Sequence, residues 1–434
     1  MVKDFNHFYN RGLPVDLEKD PLNANLFNLE GSEWRNMRLK ISPTFTTGKL
    51  KGMLEQLCAC GDKLIKHIGE VSAAGQPVHS KPIISSFSFE VIASIAFGLQ
   101  LDKDSEANKA FGTVVKKVFS PSTTQFFRIF LVMFFPRVAR ILGVKQFPKD
   151  VEDLVFFLTQ NTLQYRRDNN VSRNDFLQLL MNIQKQELEG TQKDSVEESP
   201  DDDVIQQMQH ATKGDDVKNK IFMTDTIITA QLFGFLSGGS ESVSSIVNFT
   251  MFCLSQNQCI QERAREEIYS VLKKHENKWS YQAVKEMVYL QQIIEESLRM
   301  FPAIPLHFRM CTKTYRIPDT SIYIEKGTKV FIPVMAIQND SLYYESPEVF
   351  NPDRFKDNNM KPRGTFNPFG DGPRICIALR FATLEIKVLI ARMISEFKIS
   401  LNSKTKLPMA FHKKSILLTP EHDLYFDFEK RVKC

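Results

Sequence analysis

A stretch near the C-terminus broken by glycine and proline, NPFGDGPRICIALRFA from Asn367 to Ala382, constrains the fold of this chain more than any other. Gly370, Gly372 and Pro373 disfavour a continuous helix or a regular strand, since glycine favours unusual backbone angles and proline removes an amide donor. Helical spacing resumes at about 378–396. The segment therefore predicts a tight, pre-shaped loop that presents Cys376 immediately before a helix. A thiol held there, among backbone N–H donors and beside Arg374, is biased toward thiolate.

Long stretches elsewhere carry helical spacing, and only short ones read as strands. Helices are expected over about 49–70, 85–98, 107–118, 149–168 and 173–188. A long apolar helix should run over about 224–256, followed by others at 257–274 and 281–301, the last stopped by Pro302. Strand signals gather at Thr314 to Ile324 and Lys329 to Ala336, and strand-like pieces follow the final helix. The predicted fold class is mainly α with small β-sheets. Gly190 to Asp216 is acidic and aperiodic, and reads as a mobile surface loop (190–216) inside a single domain spanning 1–434.

Composition removes several classes of function. At 434 residues, 42% hydrophobic and 25% charged, the chain can bury a large core. A formal charge of +5 is too weak and too evenly spread to indicate a nucleic-acid partner. Seven irregularly spaced cysteines make no disulfide framework or zinc ribbon, which suits a reducing compartment. His79, His210 and His307 lack partners at metal spacing and read as structural. No run is long and apolar enough to span a bilayer. The densest apolar stretch, FFRIFLVMFF from Phe126 to Phe135, fits either a buried helix pair or a loop dipping into a lipid surface.

The loop around Cys376 has the chemistry that a porphyrin iron needs. An anionic axial sulfur pushes electron density into a bound O–O bond. Phe369 can shield that sulfur from water, and Arg374 can neutralise a propionate. In order and residue type, Phe369, Gly372, Arg374 and Cys376 resemble the cysteine loop of the cytochrome P450 superfamily, F-x-x-G-x-R-x-C-x-G, with Ala378 at its last glycine.

Further motifs follow in the order that family requires. Glu296 and Arg299 resemble its E-x-x-R pair, one helical turn apart, and Arg354 in NPDRF would complete a buried network that keeps the haem-side core in register. Trp34 and Arg38 match its W-x-x-x-R, and Arg309 its propionate-binding arginine. In FLSGGSESVSS, Gly238 and Gly239 should let the long helix lie close over the porphyrin and open a local kink. Ser242 supplies a proton-donating hydroxyl where the family usually has threonine, and Glu241 should connect it to solvent.

The resemblance covers nearly the whole chain and is strongest to microsomal, insect-type xenobiotic-metabolising families. It implies a haem b cofactor (iron protoporphyrin IX) with Cys376 as axial thiolate. It also implies a monooxygenase that inserts one atom of O2 into a small lipophilic substrate, with electrons from NADPH through a separate NADPH-cytochrome P450 reductase. Arg35, Arg38, Lys40, Lys49 and Lys51 could offer that partner a basic face. The expected location is the cytoplasmic face of the endoplasmic reticulum membrane, with a peripheral lipid contact. Trp34 arrives early for such a protein, so the chain reads as lacking an N-terminal anchor and the first helices. The substrate pocket should draw on 108–135, Phe233 to Ser237, Ala303 to Leu306 and the final strands. A haem-binding but catalytically impaired protein, and a P450-fold isomerase or dehydratase, remain as alternatives.

Overall fold

Periodicity becomes packed helix in the computed structural model, which describes residues 3–431 apart from 14, 99–111, 113–116, 119–121, 174, 191–220 and 359–363. The first elements are α1 (Gly31–Ile41), α2 (Thr47–Ala73), β1 (Val78–His79) and α3 (Ser80–Phe97). Next come α4 (Thr123–Phe134), α5 (Pro136–Ile141), α6 (Lys149–Asp168), α7 (Phe176–Leu188) and the long α8 (Asp225–Gln256). Then follow α9 (Gln258–Lys274), α10 (Tyr281–Glu286), α11 (Val288–Met300), β2 (His307–Met310), β3 (Tyr315–Arg316), β4 (Tyr323–Ile324) and β5 (Lys329–Ile332). The chain closes with α12 (Val334–Gln338), α13 (Leu379–Glu396), β6 (Phe397–Leu401) and β7 (Tyr425–Lys430).

Helix ends are set locally. The Thr224 hydroxyl accepts from the Ile227 amide and starts α8, the Asp175 carboxylate accepts from Gln178 and starts α7, and the Ser280 hydroxyl accepts from Ala283 and starts α10. Asp175 is why the helix expected from 173 begins at Phe176. The helix expected over 281–301 is two, because Met287 takes non-helical angles between α10 and α11. The strand expected over 329–336 stops at Ile332, where Pro333 turns the chain into α12. Most of the helix expected over 107–118, and all of 190–216 beyond Gly190, lie outside the described residues.

The core forms around α8, whose buried residues run from Ile227 to Ser255 and pack against α3, α11 and α13. Three small antiparallel sheets sit at its margins, in the orders β1-β7-β6, β2-β5 and β3-β4. Their registers include Val78 opposite Phe426, Arg309 opposite Val330 and Tyr315 opposite Ile324. The stretch Phe126 to Phe135 is not a buried helix pair: in α4 only Val132 is buried, and Phe127 is 62% exposed. Among the described residues, no helix is long and apolar enough to cross a membrane.

Candidate active site

The loop before α13 folds by its own backbone. Gly370 and Gly372 adopt φ of +80° and +67°, the left-handed region in which a side chain would be strained. The Gly370 amide donates to Asn367 O (3.1 Å), the Ile375 amide to Gly372 O (2.9 Å) and the Cys376 amide to Phe369 O (2.9 Å). Cys376 thus stands just ahead of α13, facing a cavity of about 290 Å³. Phe369, Ile375, Ile377, Ala378, Phe381 and Ala382 line the cavity around it.

The Cys376 sulfur lies open to the cavity. Burial pushes Cys376 above the ordinary thiol value, and the Ala378 amide, Arg38 and Arg11 only partly pull it back.

A buried network carries the loop. Glu296 and Arg299 are fully buried, and Arg299 donates through Nε (2.7 Å) and a second nitrogen (3.0 Å) to the two Glu296 oxygens. Arg354 Nε (3.2 Å) and the Asn351 amide (3.0 Å) also donate to Glu296. Arg299 then donates to the Gln338 and Pro347 carbonyls, and the Gln338 side-chain oxygen accepts from the Asn367 amide (3.0 Å). Asn367 begins the Cys376 loop, so the ion network fixes the loop's entry. Such a network is better understood as a device for register than as net stability.

Cations crowd one edge of the cavity. Arg11, Arg38, Arg309 and Arg374 all line it, with Trp34 among them. Burial lowers the pKa of Arg309 to about 10 and those of Arg11 and Arg374 well below the arginine value, with neighbouring arginines lowering the last two further. Among the described residues Arg11 Nε is buried without a partner, and its guanidinium lies 3.7 Å from the Phe27 ring centroid. Arg38 donates to Ile375 O (2.8 Å) and Arg309 to Phe308 O (2.8 Å). Arg374 does something the sequence did not suggest: it donates to the carbonyls of Tyr9 (2.9 Å), Phe27 (3.3 Å) and Leu29 (2.6 Å), strapping the N-terminal loop while lying 4.1 Å over the Trp34 ring. Arg11 was not legible in the sequence, because no local pattern surrounds it.

On the opposite wall, α8 runs as one continuous helix through Gly238 and Gly239. The Ser240 and Ser242 hydroxyls donate to the Leu236 and Gly238 carbonyls one turn back. A Cβ on Gly238 would meet nothing within 4 Å, whereas one on Gly239 would stand 2.7 Å from Ile92 Cδ1 of α3. Both glycines line the cavity, but only Gly239 is also tightly packed against α3. Ser242 lines that cavity, but Glu241 lines a second one of about 60 Å³ with Lys81, Ser244, Asn248, His422 and Asp423.

Other expected positions divide. Gly234, Phe235, Ala303, Ile304 and Leu306 line the main cavity, while Phe233 turns away to pack edge-on against Phe147 (4.7 Å). Among the described residues, neither 122–135 nor the final strands reach it. The basic face also shrinks: Arg38 is buried, Lys40 is tied to Glu187 and the Ile221 carbonyl, and Lys51 remains exposed. His307 is pushed down to about 4 by burial and by Arg309 and Arg11, and His79 meets Asp423 at 3.2 Å. His210 lies outside the described residues.

An apolar cavity edged by desolvated cations takes an amphiphilic ring with anionic arms, and a sulfur facing into it takes the ring's metal; together they define a haem-thiolate protein. The comparisons agree. The family described as Cytochrome P450 matches residues 1–426. The chain is 34% identical to "Probable cytochrome P450 6a23" of Drosophila melanogaster, over 100% of this chain and 82% of that one. It is 33% identical to "Probable cytochrome P450 6d5" (97% and 80%) and to "Cytochrome P450 6a2" (99% and 82%), both of the same fly. The chain belongs to the cytochrome P450 family, is a haem monooxygenase in the general sense, and binds haem through the Cys376 thiolate.

Proposed function

We propose that this chain oxygenates small lipophilic substrates, with electrons that originate in NADPH and arrive through a separate reductase. The observation that carries this is the main cavity, where the hydroxyl of Ser242 and the sulfur of Cys376 share a space walled by Ile246, Ala303, Ile304, Leu306 and Phe235. Apolar walls exclude water and select substrate by shape. Haem, when bound, supplies the reductive activation of dioxygen.

The chain's own residues do the rest. Arg11, Arg38, Arg309, Arg374 and Trp34 would hold the propionate edge, and Phe369 would keep water from the sulfur. Ser242 holds a proton at Oγ beside the cavity, which favours oxygen activation over a P450-fold isomerase or dehydratase. Glu241 would exchange protons with solvent through the second cavity. The sequence holds no G-x-G-x-x-G to bind a dinucleotide, which supports an outside electron source. Arg35, Lys49 and Lys51 would form the remaining basic face for it. The exposed phenylalanines of α4 support peripheral contact with a lipid surface at the endoplasmic reticulum.

The test is the reduced, carbon monoxide-bound spectrum beside that of Cys376→Ser, followed by turnover with NADPH and reductase. A red-shifted Soret band lost in the variant, with product that depends on reductase, is expected. Oxygenation that proceeds without reductase and NADPH would overturn the reading.

A further inference from the structure

We infer that His307 is a specificity-determining residue of the oxygenase, an uncharged hydrogen-bond donor in the main cavity that selects lipophilic substrates carrying a neutral carbonyl oxygen. The inference rests on the oxygenase reading and deepens it, because it names the class of substrate that the cavity takes.

The strand places the ring. His307 and Arg309 stand two residues apart on β2, so they project to the same face, and both line the cavity that Cys376 faces. The backbone around His307 is fixed: Ile332 of β5 stands opposite it, and the Met335 amide donates to Pro305 O (3.1 Å) just before it. The wall leading to it is apolar, made by Ala303, Ile304 and Leu306. A polar ring held on a strand in such a wall can fix one end of a ligand.

Several other polar side chains of the cavity are already spent. Asn25 donates to Leu22 O (2.9 Å) and accepts from the Phe27 amide (3.1 Å), and Gln231 donates to Ala24 O (2.8 Å) and accepts from the Leu26 amide (2.8 Å). Ser242 donates within its own helix, and Arg374 is committed to the N-terminal loop. His307 differs: among the described residues no hydrogen bond or ion pair reaches either ring nitrogen. An unpaired polar group costs free energy in the empty cavity, and a ligand that supplies its partner recovers that cost.

Electrostatics choose the partner. Burial and the charges of Arg309 and Arg11 push the imidazole down to about 4, so it is neutral at physiological pH and carries one donor and one acceptor. The same two cations favour the tautomer whose lone pair faces them, which leaves the N–H for the cavity. With haem bound, its propionates would lie against those arginines, and a substrate carboxylate brought to this edge would meet like charge. A ketone, ester or lactone oxygen accepts the N–H without bringing a charge, and costs far less to desolvate.

Ligand binding to the resting ferric protein tests this without electrons or dioxygen. The probes are methyl nonyl ketone, undecane and undecanoate, equal in carbon number, each titrated by the shift of the Soret band. His307→Phe should weaken methyl nonyl ketone by about fivefold or more, the worth of one neutral hydrogen bond, and leave undecane within about twofold. His307→Gln, which keeps an N–H, should retain most of the affinity for the ketone, and haem transfer to an acceptor protein should run equally fast in all three proteins. Equal weakening of ketone and alkane would reduce His307 to packing, and a stronger dependence of undecanoate on the ring would overturn the neutral-carbonyl class. Faster haem loss with ketone binding unchanged would assign the ring to the propionates; each of these three sinks the proposal. Ligand binding as expected, with no oxygenation under NADPH and reductase, would sink the oxygenase reading instead.

Discussion

At the scale of single residues, charge without a partner marks the site. Arg11 is desolvated, crowded by Arg309 and Arg38, and unpartnered at Nε. Replacing it by methionine should stabilise the haem-free protein in urea while speeding haem loss to an acceptor protein; slower or unchanged loss would remove it from the propionate edge. Asp20 makes a different prediction. Its carboxyl accepts from the Gln146 amide (3.0 Å) and the Asn23 side chain (2.7 Å), yet burial raises it from 3.8 to about 6. The folded state therefore binds the proton more tightly than the unfolded one. Ionised Asp20 costs stability above pH 6, and that cost disappears as pH falls from about 6 to 4. The limit is about 3 kcal/mol at 1.36 kcal/mol per unit. Asp20→Asn should raise stability at pH 7.5 and flatten its slope between pH 4 and 6, as read by chemical denaturation; an unchanged slope would contradict the assignment.

At the scale of elements, the α3–α8 contact decides which glycine matters. Gly239→Ala should cost about 1–3 kcal/mol by overpacking Ile92, and Ile92→Val, which removes the clashing Cδ1, should recover much of it in a double-mutant cycle. Gly238→Ala should be neutral or stabilising by up to about 1 kcal/mol, since its Cβ meets nothing and alanine favours helix. Equal costs at both positions would refute this division. Here the sequence was partly legible. The loop of Cys376 and the pair Glu296 and Arg299 were readable because backbone punctuation and one-turn spacing are local signals. That Glu241 and Ser242 line different cavities was not readable from their adjacency, although adjacent helix residues do point about 100° apart. Arg11 was invisible, because its meaning comes from segments far apart in the chain.

At the scale of the whole molecule, one exposed face remains apolar. Phe126, Phe127, Phe130, Phe134, Phe135, Val138, Ile141 and Leu142 of α4, α5 and their junctions are all more than 40% exposed, more than a solvated surface carries without a partner. Phe127→Asp together with Ile141→Asp should release the protein from lipid vesicles in a flotation assay without moving the Soret band. Unaltered flotation would place the lipid contact elsewhere. The mainly helical architecture was legible from periodicity alone. That the final strands stay clear of the cavity was not, because tertiary direction has no one-dimensional signature.

The strap made by Arg374 also sets a schedule. Its bond to the Leu29 carbonyl joins residues 345 apart, so the N-terminal loop cannot be fastened until nearly the entire chain has been made and folded. That distance predicts that the loop, which walls the cavity with Leu26 and Phe27, is a late door to shut. In pulsed hydrogen exchange during refolding, the Leu26 amide, held by Gln231 Oε1, should gain protection after the amides of α8 and α13. Simultaneous protection would show that the door closes with the house.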